Sequence, residues 1–420
     1  MIAGHAKGWT RDRLKFVADI NAATLPENTD PDWQFDYVDI SRVMQGIITD
    51  DPQPTTFAQA PSRARRLAAP GDTIVSTVRT YLRAVAQVVD GEDDQVFSTG
   101  FAVIHPRSGS VDPRFLSYYL QSTPFVERVV ADSVGVSYPA INPSQIGAYD
   151  LRLPGVPVQR AIADFLDRET AQIDAMIEAQ ETAMAHIQAR RGAFIALTLD
   201  EASSVRVPLK RWIASVDQGS SPDTAHGEDD AEAWVLKSGC PNGGRFDPLE
   251  SKPVPAHVAW SKDTKVGIGD LIVSRANGSL RLLGSAALVG DLGGRNLLLS
   301  DKTYRLRTRH GCPNEEFVYW CLNSPQYRDH VSLTASGAEG LARNITSRSI
   351  LAFPVPAVDA ATAVAASRTL RDQSRQMDAV IAELVAVKGL LRERREALIT
   401  AAVTGRLDPR TGIERLEDAS

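Results

Sequence analysis

The sequence predicts an α+β protein made of two tandem modules, each with a mixed, mostly antiparallel sheet and flanking helices and each followed by a long helix. The two long helices are predicted to pair as an antiparallel coiled coil. Three observations lead to this fold. One unit of sequence occurs twice, short strand-like runs fill the first part of each copy, and a long helical segment without proline ends each copy.

The internal repeat has a period of about 200 residues, far longer than that of a solenoid. The string 71-GDTIVS-76 is matched by 269-GDLIVS-274, and 112-DPRFLSYYLQS-122 is matched by 314-NEEFVYWCLNS-324 at an offset of 202. Further matches at the offset of 202 are Gly135 with Gly337, Asn142 with Asn344, and Pro154 with Pro356. Two copies of one fold are therefore expected.

The copies set the predicted boundaries, which are a first module at 1–156, its helix at 157–204, a second module at 205–356, and a second helix with a C-terminal tail at 357–420. Within the modules, runs such as FAVIHP and TYRLRT predict the strands of one curved sheet. The aromatic-rich segments PRFLSYYLQS and EEFVYWCLNS predict helices whose aromatic side chains belong to the core rather than to a ligand platform.

The long helices carry apolar residues at alternating steps of four and three, as a coiled-coil seam requires. A helix of about 42 residues would be about 60 Å long, beyond the usual globular helix. The predicted pairing residues are Leu166, Ile173, Ile177, Met184, Ile187, Phe194, Leu370, Met377, Ile381, Leu384, Leu391 and Leu398. Polar seam positions coincide between the two helices, Thr170 with Ser374 and Arg191 with Arg395, which suits a device that fixes register.

Antiparallel pairing follows from connectivity. Only a short connection joins each helix to the module that follows it, and a parallel pair would need a chain return of about 60 Å. The antiparallel arrangement predicts the two modules at opposite ends of the helix pair. A duplicated structural protein without a ligand would also have this repeat and these helices.

The composition, with 43% hydrophobic and 23% charged residues, is that of a globular protein, and a net charge of -6 argues against a non-specific nucleic-acid coat. Much of the acid lies in 90-DGEDD-94 and 227-GEDDAE-232, which we expect to be solvated loops. The sequence shows no apolar run of transmembrane length and no signal-peptide pattern, so a cytoplasmic location is the default expectation.

Catalytic and metal-binding patterns are not apparent, so we expect neither catalysis nor a metal in this chain. Cys240, Cys312 and Cys321 form no CxxC pair and fit no zinc spacing. We find no nucleotide-binding GxxxxGK[ST] string, no GxGxxG after a strand, and no methyltransferase tetrapeptide, for which 142-NPSQ-145 is the nearest string.

Arginine-rich loops are the candidate binding elements. Arginines recur beside the turns of both modules, the later ones being Arg305, Arg307 and Arg309. Two loops in each module also combine Gly, Ser, Asn and Arg, namely 77–83 and 133–145 in the first and 275–281 and 336–348 in the second. Arginine binds phosphate and the guanine edge bidentately, so these loops suit DNA. The candidate DNA-binding residues are Arg63, Arg66, Arg79, Tyr81, Arg83, Ser137, Tyr138, Asn142, Arg275, Asn277, Ser279, Arg281, Arg343, Asn344 and Arg348.

The amino-acid sequence at the helix junctions resembles that of the specificity subunit of type I restriction-modification systems. The first junction reads 153-LPGVPVQRAIADFLDRETAQIDAMI-177, and the helix ends read 190-RRGAFIALTL-199 and 394-RREALITAAVTGRLD-408. The resemblance covers nearly the whole chain. One departure is Ala361 in the second junction where the first has Gln159, with two extra residues before the second seam. This departure raises the question whether both junctions contact a partner equally.

The resemblance implies a non-catalytic, DNA-binding subunit. Each module would read one half of a bipartite double-stranded site, and the paired helices would set the gap and seat two methylation subunits, with restriction subunits attached to that core. S-adenosylmethionine and ATP with magnesium are then expected on the partner subunits. Two alternatives are a coiled-coil adaptor that binds only proteins and a specificity subunit of a modification-only system.

Overall fold

The computed structural model describes residues 8–44, 46–49, 53–89, 95–136, 138–221, 231–337 and 343–408. The chain divides into two compact units, Met1–Gln180 with Val385–Ser420, and Glu181–Leu384. Each unit therefore combines one predicted module with a segment of each long helix. The acidic run at 90–94 and most of that at 227–232 lie outside the described residues.

The first unit alternates short strands with helices. Its strands are β1 (Thr10–Arg13), β2 (Ala18–Ile20), β3 (Gln34–Val38), β4 (Val43–Met44), β5 (Ile47–Ile48), β6 (Pro54–Thr56), β7 (Ala64–Arg66), β8 (Thr73–Ser76), β9 (Val85–Gln87), β10 (Gln95–Ser98), β11 (Phe101–Pro106) and β12 (Asp150–Leu153). Its helices are α1 (Leu14–Val17), α2 (Pro113–Gln121), α3 (Thr123–Ala131), α4 (Pro143–Gly147) and the first part of α5 (Val156–Ala202).

Two four-stranded sheets form the body of this unit, where the sequence predicted one curved sheet. One has the order β2-β11-β8-β9 and is antiparallel throughout. The other has the order β6-β3-β10-β7 and contains one parallel pair, β3 with β10. The two sheets share one apolar cluster, which includes Ile74 and Val103 of the first sheet and Val38 and Phe97 of the second. A smaller cluster is lined by the second sheet alone.

Helix α2 begins where the sequence provides a cap. The Asp112 side chain accepts hydrogen bonds from the backbone N–H groups of Arg114 (3.1 Å) and Phe115 (3.2 Å), and Pro113 occupies the first turn. Phe115 and Leu120 then enter the main core, which they share with Leu166 of α5. The prediction that this aromatic helix supplies core is confirmed.

The second unit repeats this order of elements. Its strands are β13 (Arg206–Pro208), β14 (Ile213–Gln218), β15 (Trp234–Leu236), β16 (Pro241–Asn242), β17 (Arg245–Phe246), β18 (Ser251–Pro253), β19 (Leu271–Ser274), β20 (Ala276–Asn277), β21 (Ala286–Leu288), β22 (Leu297–Leu298), β23 (Thr303–Thr308), β24 (Arg343–Asn344) and β25 (Pro354–Pro356). Its helices are α6 (Glu315–Cys321), α7 (Pro325–Thr334), α8 (Ser347–Ala352) and the first part of α9 (Ala360–Val403).

The sheets of the second unit match those of the first. The order β14-β23-β19-β21 is antiparallel, and β18-β15-β22 again includes one parallel pair, β15 with β22. Phe317 of α6, Tyr327 of α7 and Leu370 of α9 are buried in the main core. The mixed α+β prediction is confirmed.

The long helices span 47 and 44 residues. In the first unit Leu166 and Ala402 share the core, and Asp174, farther along α5, pairs with Arg395, which precedes Ala402 on α9. Residues of increasing number on α5 therefore contact residues of decreasing number on α9, so the two segments are antiparallel.

The same direction holds within the second unit, where Leu199 and Leu370 share the core and Arg191 pairs with Asp378. Of the twelve predicted pairing residues, three are buried, namely Leu166, Ile173 and Leu370, and the other nine are half-buried. None of them faces solvent fully, as expected of a seam.

No helix of the described residues is long and apolar enough to cross a membrane. The described residues also hold no group of three His, Cys, Asp or Glu side chains placed to bind a metal ion. Cys240 and Cys321 are buried free thiols and Cys312 is half-buried, and burial raises the pKa of all three.

Candidate nucleic-acid interface

The two predicted loops of the first module lie side by side. The Ile141 N–H donates to the Thr77 carbonyl (2.9 Å), and the Arg79 N–H donates to the Pro139 carbonyl (2.8 Å). The backbone therefore joins residues 60 and 64 positions apart into one surface, and the loops 77–83 and 133–145 act as one element.

Arg79 and Arg83 have left-handed backbones, with φ of 51° and 54°, and they bracket a single 3-10 turn, Thr80–Leu82. Such a conformation costs a non-glycine residue about 1–3 kcal/mol, and residues held in it cluster at binding sites. The turn leaves Arg79, Tyr81 and Arg83 exposed. It therefore displays two cations and an aromatic ring on a rigid corner.

The Arg79 guanidinium carbon lies 4.8 Å from the centroid of the Tyr138 ring, a cation–π contact between the two loops. Tyr138, Val134 and Val136 are all exposed on the second loop. Exposed apolar groups beside arginines suit the methyl group of thymine and the faces of bases. Val134 and Val136 were not singled out from the sequence, and Ser137 lies outside the described residues.

The second module joins its loops by the same bond. The Ile345 N–H donates to the Arg275 carbonyl (2.9 Å), and β20 pairs with β24 through Ala276 with Asn344 and Asn277 with Arg343. The bond and the strand pairs bring together four predicted residues, Arg275, Asn277, Arg343 and Asn344, and all four are half-buried polar side chains.

The tip of the first of these loops is a turn in which the Ser279 N–H donates to the Asn277 side-chain oxygen (2.9 Å). Ser279, Arg281 and Arg348 are exposed, so they are the predicted residues of this module that are most available to a ligand.

Several predicted residues have roles inside the fold. The Arg63 Nε donates to the Tyr37 hydroxyl (2.9 Å), and the Arg275 Nε donates to the Tyr304 hydroxyl (3.0 Å). Arg66 is half-buried in β7, and burial lowers its pKa. Arg63 and Arg275 therefore brace strands and loops through these bonds.

Arg305 is the clearest case of an internal arginine. Its side chain is 3% exposed and pairs with Asp217 (2.8 Å) and Asp270 (3.1 Å). Arg307 also bonds Asp217 (2.7 Å), so the two guanidinium groups hold the pKa of that carboxyl below its usual range, although burial acts in the opposite direction. Arg305 is therefore a core ion pair and not a surface cation, which corrects its grouping with the loop arginines.

Asn142 is an N-cap in the structure. Its side-chain oxygen accepts from the Ser144 N–H (3.0 Å), and Gln145 completes a capping box at α4. Its structural counterpart is Thr346, which caps α8, and not Asn344, as the constant offset had predicted. The two extra residues of the second copy therefore lie in the loop before Ile345, and not at the helix junction.

Gln159, in the first helix junction, is 1% exposed and joins the first module to its helix. Its amide accepts from the Asp112 N–H (2.8 Å) and donates to the Pro154 carbonyl (2.8 Å). Because the two extra residues precede Ile345, the structural counterpart of Gln159 is the buried Ala363, and not Ala361 as the sequence comparison predicted. The second copy therefore lacks this internal brace. Near the second junction, Ser367 donates to the Asn314 side chain (3.3 Å).

These features define a class of protein with two α+β modules, each presenting a joined pair of loops and each continuous with a long helix that packs against segments of the other. Residues 6–183 match the family described as the type I restriction modification DNA specificity domain. The matched residues cover the first module and the first part of α5, and this part of the chain is similar to that family.

A curated relative, the type I restriction enzyme EcoKI specificity subunit of Escherichia coli (strain K12), is 24% identical over 257 residues. The match covers 57% of this chain and 55% of the relative, so the chain spans about half the length of this relative.

Two solved structures align with nearly the whole chain. A chain from a study of complex assembly and conformational transition of the type I R-M system has a TM-score of 0.59 at 20% identity, covering 97% of this chain and 100% of its own. The HsdS subunit from Thermoanaerobacter tengcongensis has a TM-score of 0.44 at 21% identity, covering 96% of this chain and 99% of its own. The first of these supports the tandem arrangement of modules and long helices.

Proposed function

We propose that the chain is the DNA specificity subunit of a type I restriction-modification complex. It reads a bipartite double-stranded DNA site with one module per half-site and performs no catalysis itself. The observation that carries this proposal is the joining of two distant loops into one exposed arginine-bearing surface in each module. A surface that combines charge, hydrogen-bonding groups and exposed rings can both hold phosphates and discriminate bases.

The partners follow from the same proposal. Two methylation subunits and, in a restricting complex, restriction subunits dock on this chain and carry S-adenosylmethionine and ATP with magnesium. The complex works in the cytoplasm. The long helices offer docking surface, because apolar side chains outside the seam are exposed, in the first unit Met176, Val385 and Leu390, and in the second Leu197, Val364 and Val380.

The paired helices serve as the ruler between the half-sites. Two modules held at a fixed separation gain effective concentration for the second half-site once the first is bound. The predicted gap therefore depends on helix length, and an insertion of one heptad in each helix should lengthen the gap in the recognised motif.

The direct test is methylome sequencing of cells that express this chain with its methylation subunit. We expect N6-methyladenine at a motif with two fixed halves and a fixed gap, present only with the chain. Exchange of residues 205–356 for another module should change one half alone. Arg79→Ala should weaken first-half recognition by about 1–3 kcal/mol, whereas Arg152→Ala, which alters an exposed arginine of β12, should leave the motif intact.

The alternatives give different results. If no motif depends on the chain although both proteins are expressed and active, the chain is a protein adaptor and does not read DNA. If the motif appears but no restriction subunit copurifies and unmethylated DNA is not cleaved, the system is modification-only.

A further inference from the structure

A cavity of about 450 Å³ lies in the second unit, walled by the β16–β17 hairpin, helices α6 and α7, and the segments of α5 and α9 that belong to this unit. Its walls contain two carboxylates, Glu316 and Asp378. They also contain six arginines, namely Arg191, Arg245, Arg281, Arg328, Arg371 and Arg375. The cavity therefore has a clear excess of positive charge.

Both carboxylates are already paired. Asp378 receives Arg191 and Arg245, and Glu316 receives Arg371 in a two-point contact. Each carboxylate is thus ion-paired with the arginines nearest to it, and neither neutralises the charge of another arginine of the cavity.

The other three arginines have no carboxylate within 4 Å among the described residues. Arg328 donates only to backbone carbonyls, those of Arg281 and Leu283, and burial lowers its pKa. Arg281 and Arg375 are exposed at the rim. Partly buried guanidinium groups without a counter-ion are costly unless an anion joins them.

Two buried N–H groups on the cavity walls also have no acceptor. They are the Nε of Arg191 and the indole Nε1 of Trp320. A buried donor without a partner costs about 1–3 kcal/mol. Both atoms are covered by neighbouring protein atoms, so the charge of the six arginines, and not these two donors, is what a ligand in the cavity meets.

The first unit shows that the repeated scaffold does not need these arginines. Its β4–β5 hairpin pairs Met44 with Ile47, as β16–β17 pairs Asn242 with Arg245. The counterparts of Arg245, Arg328 and Arg375, at offsets of 198, 202 and 204, are Ile47, Val126 and Ala171. The cavity at that place, beside Gln121 and Val126, is only about 30 Å³. Arg281 and Arg191 do have arginine counterparts, Arg83 and Arg395, which line this smaller cavity. Arg245, Arg328 and Arg375 thus occur together with the larger space, in one module only.

We propose that this cavity of the second unit binds a phosphate group. A phosphate carries enough charge and acceptor oxygens for the three guanidinium groups that lack a carboxylate partner, and arginine is suited to its geometry. The volume also admits a phosphate ester. The phosphate could belong to a free anion or to the DNA backbone, and the site itself is defined by this chain's charges, independently of DNA reading.

The test uses the full-length chain, in complex with its methylation subunit if that is how it purifies. Inorganic phosphate is titrated at constant ionic strength against chloride, with binding followed by calorimetry and by the thermal midpoint. We expect saturable binding that becomes about tenfold weaker in Arg375→Gln and weaker still in Arg375→Glu. The matched controls are Arg368→Gln and Arg368→Glu, at an exposed arginine two turns earlier on the same helix that does not line the cavity.

A second arm separates the two sources. If phosphate competes with a DNA duplex in the wild type but not in Arg375→Gln, the site takes a backbone phosphate. If phosphate binds while DNA affinity is the same in both proteins, it takes a free anion. Two results together would overturn the proposal. The first is phosphate binding that does not saturate or that is equal in the Arg375 and Arg368 variants, and the second is a DNA affinity that Arg375→Glu leaves unchanged. Failure here would leave the methylated motif intact, so it is distinct from failure of the proposed function.

Discussion

The ion pair between Asp174 and Arg395 is expected to hold the register of the two long helices in the first unit. The Arg395 Nε lies 2.9 Å from an Asp174 carboxylate oxygen. The arginine side chain is 12% exposed and the aspartate 35%. The arginine occupies a position in the predicted seam, and its contact with Asp174 forms only when the two segments are in the observed register.

The magnitude follows from this partial burial. Exposed pairs are worth about 0–1 kcal/mol, whereas removing one partner of a fully buried pair costs about 3–5 kcal/mol. For a pair with one buried and one half-exposed member we expect a coupling free energy of about 1–2 kcal/mol. Asp174→Asn should cost more than Arg395→Met, because the first leaves a charge in the seam and the second leaves a carboxylate that water can reach.

The assay is a double-mutant cycle followed by hydrogen exchange and mass spectrometry on peptides of α5 and α9 from the first unit. Local exchange reports the opening free energy of the segment itself, which global unfolding of a two-unit chain would average. Glu178→Gln, an exposed change one turn from Asp174, is the control and should have no effect. Additive single effects, with a coupling below about 0.5 kcal/mol, would refute the register role.

The second unit offers an independent repeat of this experiment. Arg191 of α5 corresponds to Arg395 of α9, and Asp378 of α9 corresponds to Asp174 of α5, each at an offset of 204. Arg191 and Asp378 form the same kind of ion pair. Asp378 also receives Arg245 (3.0 Å), so Asp378→Asn should cost more than Asp174→Asn.

Three further predictions concern stability and reactivity. Leu166→Ala removes a fully buried side chain and should cost about 2–5 kcal/mol in urea unfolding; a loss below about 1 kcal/mol would contradict the packing. The pKa of Asp217 is lowered by two arginine partners despite burial, so its stabilisation is complete above the unfolded pKa of about 3.9 and is lost as pH falls through the folded value. Asp217→Asn should therefore flatten the fall of the thermal midpoint between about pH 5 and pH 3, and parallel curves would count against it. Among the thiols, Cys312 should react with a thiol reagent before the fully buried Cys321, whose pKa burial raises, and peptide mapping that finds Cys321 labelled first would show that this core opens.

The sequence predicted the secondary structure of this protein well because the signals are local. The second long helix was expected within 357–420 and is Ala360–Val403, and the first was expected at 157–204 and is Val156–Ala202. Heptad spacing and the absence of proline act over a few residues, so they are legible without any tertiary contact. The buried strands FAVIHP and TYRLRT were recognisable for the same reason.

The division of arginines between core and surface was not predictable, because it depends on contacts between distant positions. Arg305 and Arg307 are neighbours on one strand, yet the first is buried between Asp217 and Asp270 and the second is exposed. Likewise, nothing local shows that Arg79 contacts Tyr138 from another loop. Alternation gives the face of a strand, but a salt-bridged core face and a binding face both tolerate arginine.

What the sequence by itself determined is the duplicated unit, its helices and strands, the helix seam and the loops that differ most in composition from the rest. What only the tertiary structure decided is which of those loops meet, which arginines remain available, and that the extra residues of the second copy lie in a loop rather than at its helix. The physical reason is the separation along the chain between the residues that interact. Periodicity and capping are set by neighbours within a few residues, whereas burial, pairing and charge balance depend on residues brought together from far along the chain.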